Sequence, residues 1–233
     1  MRTELRGRPP TATTRHPFGA ADGILSREAM PLLALEGCMV LVAAHGSARA
    51  PDLAEILRDL GCEVLGPAGS GAEALELLAH QRPNVALLEA GPGCDGLVPL
   101  AQALAAAAVP FALLTGGSAD GPPDHAALRE APRLPWPWHL PELCRSLRAL
   151  YRFNLERRLA LDEQQIAAGR ERLAYQIRAI ERLAAEGEDT LVADRLMRGI
   201  GRSLRMMRAH RAYLRRRLAL DETSRCGGRI AGV

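Results

Sequence analysis

The 233-residue chain contains no lysine: all 30 of its basic residues are arginine. No compact ammonium group is available anywhere, so every cationic task falls to a planar, permanently charged guanidinium. Aromatics make up only 3% of the chain, so its core must be aliphatic. The five cysteines (Cys38, Cys62, Cys94, Cys144 and Cys226) are scattered with no C-x-x-C spacing, which argues against a zinc site. Their odd number, together with the lack of a secretory segment, leads to the expectation of a soluble, cytoplasmic protein. The longest apolar run near the N-terminus, Ala29 to Leu35, is too short to span a bilayer, so no membrane partner is expected. The net charge of +3 is too small to identify a partner.

What remains is 48% hydrophobic, enough for one ordinary core and an appendage. Residues 1–36 carry Pro, Thr, Arg and Gly without a period and read as a disordered N-terminal tail. From Cys38 the pattern changes. CMVLVAA, CEVLGPA, VALLE and VPFALLT are short apolar runs bounded by turn residues, which read as buried strands. Between them lie APDLAEILRDL, GAEALELLAHQ and the weaker LVPLAQALAAAA, each with helical spacing. Arg133–Leu134 reads as a minimal fifth strand, and LPELCRSLRALY as a helix after it. Five β-α repeats with right-handed crossovers predict an α/β fold, a flavodoxin-like five-stranded doubly wound parallel sheet.

Beyond Phe153 the strand signals stop. Leu155, Leu159, Ile166, Leu173, Ile177 and Ile180 form one helical stripe. Leu196, Ile200, Leu204, Met207, Leu214 and Leu218 form another after the turn EGEDT, where Gly187 stops one helix and Asp189 or Thr190 caps the next. Two such helices predict an antiparallel hairpin. The expected domains are an α/β unit at 37–151, a helical hairpin or coiled coil at 152–221, and a flexible tail at 222–233.

Over roughly residues 37–151 the chain resembles the receiver domains of two-component response regulators. The likeness is carried by MVLVAAHGS, DLAEILRDLGCEVLGPAGSGAEALELL, RPNVALLEAG, VPFALLTG and LPWPWHLPEL. The resemblance implies an acidic pair after the first strand, a phospho-accepting Asp after the third, a Thr or Ser after the fourth, and a Lys before a Pro after the fifth. In this sequence those positions are Ala44 and His45, Glu89, Thr115, and Trp136 followed by Pro137. Only the Thr and the Pro are kept. Magnesium wants several hard oxygen ligands, and without it phosphoryl transfer loses its main electrostatic stabiliser. Arg145 and Arg148 on the last helix could supply a cation, but on no catalytic spacing. His45 with Glu89 is too small a set for a transition metal, so neither a metal nor a cofactor is expected.

Glu89 carries three readings: a mimic of a phosphorylated acceptor, a drifted and solvated strand end, or a genuine phosphoacceptor. Trp136 and Trp138 form either a partner-binding surface or a cap on an aromatic-poor core. In the second hairpin helix Arg195, Arg198, Arg202, Arg205, Arg208 and Arg215 fall on one face, with no acid between Arg195 and Leu220. That face either pairs with Glu163, Glu171 and Glu181 or binds a partner. Nucleic acid is not the expected partner, because Tyr213 is the only interleaved aromatic and no recognition-helix motif or three-helix RNA-binding module is seen. The resulting expectation is a non-enzymatic bacterial signalling adaptor. It would carry a degenerate receiver, a signalling-protein partner, and homo-oligomerisation through the hairpin. The alternatives are a phosphorelay regulator that still accepts a phosphoryl group, and a nucleic-acid binder acting through the arginine stripe.

Overall fold

Each apolar run of the first half forms a strand, and strand parity decides which helical layer a side chain meets. The computed structural model describes residues 35–44, 49–90, 96–116 and 126–227. The strands are β1 (Met39–Ala43), β2 (Glu63–Ala68), β3 (Val85–Ala90), β4 (Phe111–Thr115) and β5 (Arg133–Pro135). They form one parallel sheet in the order β2-β1-β3-β4-β5, the flavodoxin-like order expected from the repeats. Three helices follow the first three strands: α1 (Ala50–Asp59), α2 (Gly71–His80) and α3 (Leu97–Ala106). A single short turn of helix, α4 (Ala126–Arg129), precedes β5.

Val40, Val42, Val85 and Leu87 point to the layer holding α1 and the helix after β5. Leu41, Ala43, Ala86 and Leu88 point to the opposite layer of α2, α3 and α4. Both faces of the sheet are thus covered, which is why these strands read as continuous apolar runs rather than alternating ones. α2 starts on a capping motif: Ser70 Oγ accepts from the Glu73 amide at 3.1 Å, and Glu73 Oε2 accepts from the Gly69 amide at 2.7 Å. Its first residue, Gly71, lies against Gly96 at the start of α3 so closely that a Cβ on Gly71 would meet the Gly96 carbonyl oxygen at 2.6 Å.

The helix after β5 does not end where the sheet domain does. α5 runs unbroken from Leu140 to Ala185, 46 residues or about 69 Å at the helical rise. It crosses the 151/152 boundary because YRFNLERRL holds no breaker and keeps phase: Leu143, Leu147, Tyr151 and Leu155, four residues apart, are all buried. Gly187, at φ +75°, ends the turn. Asp189 Oδ1 then accepts from the Leu191 amide at 2.8 Å, and α6 (Leu191–Gly227) begins. α6 extends past residue 221, into the stretch expected to be a tail, because DETSRC offers no glycine or proline before Gly227.

α6 returns antiparallel to α5. Gln176 Nε2 donates to the Ala193 carbonyl, His210 meets Asp162 at 2.7 Å, Arg215 meets Glu163 at 2.6 Å and Arg148 meets Asp221 at 2.7 Å. Near its end α6 docks back on the sheet domain. Leu214, 1% exposed, joins the α1/α5-side core. Arg217 donates to the Glu36 carbonyl and, at 3.3 Å, to the Tyr151 hydroxyl. Leu35, 2% exposed, also joins this core and donates its amide to the Leu60 carbonyl, so residues 35 and 36 are part of the fold rather than of a tail. The tail expectations for residues 1–34 and 228–233 fall outside the described residues.

The two apolar stripes are buried unevenly. Ile166 and Leu204 are 2% and 3% exposed at the middle of the hairpin. Farther out, Ile177 and Leu196, expected to be buried in the same stripes, are 41% and 54% exposed. Two helices share only one seam, and at the distal end nothing among the described residues covers the rest of each stripe. No helix among the described residues is long and apolar enough to cross a membrane.

Candidate functional site

In an open α/β sheet the crevice beyond the carboxyl ends of the strands is where ligands and chemistry are placed. Here the ends of β1, β3, β4 and β5 bring together Ala44, Glu89, Thr115 and Trp136. Ala44 is buried, and its amide donates to the Ala68 carbonyl at 2.9 Å, so the chain is still held against β2. Glu89 stands one residue before the end of β3 with its Oε2 shielded from solvent. Thr115 lies opposite Ala90 in the β3/β4 register, and its carbonyl accepts from the Trp136 amide at 2.8 Å. Trp136 joins Pro137 through a cis peptide.

A small cavity opens between the ends of β1 and β3 and the starts of α2 and α3, lined by Ala43, Ala44, Ser70, Gly71, Glu89 and Gly96. Its volume is about 20 Å³, room for about one water. Among the described residues Glu89 is the only carboxylate in that lining. Receivers imply magnesium, and these residues do not fit it. Ala44 offers no oxygen where the ion needs a side-chain ligand, and one carboxylate cannot build an octahedral set. Among the described residues no group of three or more His, Cys, Asp or Glu could hold a metal. His45, expected beside Ala44 at the acidic-pair positions, lies outside the described residues.

The cation near this edge is one the sequence reading did not single out. Arg49 immediately precedes α1, and its guanidinium carbon lies 4.7 Å from the centre of the Trp136 ring. A Cβ on Gly116, just past β4, would meet Arg49 Nη1 at 3.7 Å. Arg49 breaks a local rule. A cation at a helix N-terminus opposes the helix dipole at a cost of roughly 0.3–1 kcal/mol, and Arg49 makes no side-chain cap. Stacking on the indole offsets a comparable ~0.5–1 kcal/mol. The signal was legible: an arginine stands directly before Ala-Pro-Asp at a helix start, where Ser, Thr, Asp or Asn is favoured.

Arg148, one of the two cations considered for this edge, is elsewhere. It donates through Nε and Nη2 to Asp221 Oδ1 at 3.2 and 2.7 Å and ties α5 to α6. Arg145 is exposed on α5. Trp138 is only 8% exposed and belongs to the core, in edge-to-face contact with Trp136 at 4.9 Å. It caps the core, so the surface reading narrows to the half-buried Trp136. On α6, Arg195, Arg198, Arg202, Arg205 and Arg208 are exposed and form no ion pair among the described residues. The expected pairing with the acids of α5 occurs only at Arg215, with Glu163.

The sheet order is the flavodoxin-like one, and part of the chain is similar in sequence to a response regulator. No family model matches the chain. Over 80 residues it is 34% identical to the transcriptional regulatory protein PdtaR of Mycobacterium tuberculosis. That match covers 34% of this chain and 39% of PdtaR, so the chain spans well under two thirds of its curated relative. Among solved structures, SdrG from Pseudomonas melonis Fr1 in its BeF3-activated conformation is 27% identical. It aligns with 50% of this chain and 98% of its own, at a TM-score of 0.42. The signal receiver domain of a modulated diguanylate cyclase from Desulfovibrio desulfuricans G20 is also 27% identical. It aligns with 51% of this chain and 97% of its own, at a TM-score of 0.43.

Proposed function

We propose that this receiver-like protein is a non-enzymatic signalling adaptor whose sheet domain no longer takes part in phosphoryl transfer. The observation that carries the reading is the buried Ala44 at the end of β1, which leaves Glu89 as the only carboxylate lining the cleft among the described residues. The Lys position is filled by Trp136, and the guanidinium of Arg49 lies over its ring. On this reading Glu89 lends fixed negative charge beside Thr115 in place of a phosphoryl group. Trp136 with Arg49 then forms a contact surface for a signalling protein, and the hairpin mediates self-association or docking. The exposed Ile177 and Leu196 support the last point, since a second copy or a partner helix would cover them.

Incubating the full chain with Mg²⁺ and a small acyl phosphate should leave its intact mass unchanged. A phosphoryl adduct that is absent in Glu89→Ala would overturn the adaptor reading in favour of a phosphorelay regulator. That second reading is supported by the retained Thr115 at the end of β4. The exposed arginines of α6 support a third, nucleic-acid binding. Tight duplex binding at physiological salt, lost on charge reversal at Arg202 and Arg205, would promote it.

A further inference from the structure

The N-terminal edge of the sheet, opposite the candidate site, places two thiols side by side. Glu63 donates its amide to the Cys38 carbonyl at 2.9 Å, and Met39 is in register with Glu63. In a parallel pair this puts Cys62 directly across from Cys38. Both side chains fall on the α1/α5 face, where both residues belong to the same core cluster. Neighbouring strands lie ~4.8 Å apart, within the Cα separation of ~4.4–6.8 Å that a disulfide accepts.

We propose that Cys38 and Cys62 are a redox-responsive thiol pair that closes to an intramolecular disulfide between β1 and β2 when a hydroperoxide reaches it. The two thiols are not equivalent. Cys38 is fully buried, while Cys62 is 6% exposed beside the turn that follows α1. The hydrogen bond to Cys62, and then burial, push the Cys38 thiol up; the same hydrogen bond lowers Cys62. Cys62, the more exposed of the two, is the attacking sulfur. Its thiolate attacks a peroxide oxygen: an S–O bond forms, the O–O bond breaks, and the leaving oxygen takes up a proton. Cys38 then attacks the Cys62 sulfur. The S–S bond forms, the S–O bond breaks, and hydroxide leaves with the Cys38 proton as water. Two thiols and one hydrogen peroxide give one disulfide and two waters. Cys144, buried in the same layer with its thiol pushed up to about 11 by burial, stays protonated and does not compete.

The pair is tied to the docking of α6. The Arg217 guanidinium lies close enough to ease ionisation of Cys38, and the same side chain holds Glu36 and Tyr151. Closing the disulfide thus alters the seat on which the end of the hairpin rests. The alternative is that both thiols merely fill core space, as buried cysteines often do.

Folded full-length protein treated with hydrogen peroxide, quenched with a maleimide and digested under non-reducing conditions separates the two. The expected result is a Cys38–Cys62 cross-linked peptide, two hydrogens lighter than its parts and released by reductant. Cys38→Ser should instead leave Cys62 oxygenated, and Cys62→Ser should leave Cys38 unreacted. A cross-link that forms only in denaturant would overturn the proposal. So would oxygenation of wild-type Cys62 without a cross-link, or preferred pairing of Cys62 with Cys94 or Cys226. The wild-type map decides even if neither variant folds.

Discussion

The two ends of α5 share a backbone and differ in everything around it. Leu143, Leu147 and Leu155 are at most 4% exposed, held between the sheet, α1 and the end of α6. Tyr175 and Ile177 on the same helix are 61% and 41% exposed. The apolar spacing is equally good in both halves, so helical periodicity alone does not bury a side chain. Burial needs an opposing surface, and a sheet with helices on both faces supplies far more of it than a two-helix hairpin.

The sharpest way to break that comparison is to remove a leucine from each half of α6. Leu214→Ala should cost about 2–5 kcal/mol in denaturant unfolding, because Leu214 is 1% exposed in the sheet-domain core. Leu196→Ala, at 54% exposure, should stay within about 0.5 kcal/mol at dilute concentration. A large effect of Leu196→Ala that grows with protein concentration would mean that a second copy covers the distal stripe.

At the other end of the molecule, Gly71→Ala should destabilise by about 1–3 kcal/mol. Its new Cβ would meet Gly96 backbone atoms at 2.6–2.7 Å, and backbone cannot swing aside. The contrast is Gly169→Ala in the hairpin, where the close neighbour is a Leu204 methyl at 2.7 Å. A side chain can re-seat, and alanine gains up to ~1 kcal/mol of helix propensity over glycine, so this change should be nearly neutral by thermal melting.

Alkaline titration tests the buried layer from another side. Burial raises the Cys144 thiol from its ordinary 9.0 to about 11. The unfolded chain therefore loses this proton first, and stability falls as pH climbs between those two values. The loss should approach about 2 kcal/mol and shrink in Cys144→Ala, as read from urea midpoints against pH.

The smallest contrast compares two ion pairs of one hairpin. Arg148 and Asp221 have side chains 17% exposed each, and Arg148→Ala should cost about 1–3 kcal/mol. Arg215 and Glu163 are 56% and 46% exposed, and Arg215→Ala should cost about 0–1 kcal/mol. Equal effects would mean that the two pairs are equally solvated.

Most of the sheet domain was legible because its signals are local. Apolar runs such as MVLVA and VALLE need only short-range bounds to read as buried strands, and Gly187 and Asp189 mark the hairpin turn by their own backbone preferences. The candidate site was legible by position only. That Glu89, Thr115 and Trp136 end neighbouring strands follows from the β-α order. That Arg49 stacks on Trp136, or that Arg148 turns away to Asp221, depends on residues distant in sequence coming within a few ångströms.

Sequence alone determined the element order, the two-sided burial of the strands, the hairpin turn, and the absence of lysine from any site this chain can build. Those follow from side-chain chemistry and near-neighbour spacing. Tertiary structure alone decided that α5 carries one helix through two surroundings, that Trp138 belongs to the core while Trp136 meets solvent, and that the end of α6 returns to the sheet beside a paired Cys38 and Cys62. Each of those depends on which surface lies opposite a residue, and a one-dimensional pattern specifies a face without specifying what will cover it.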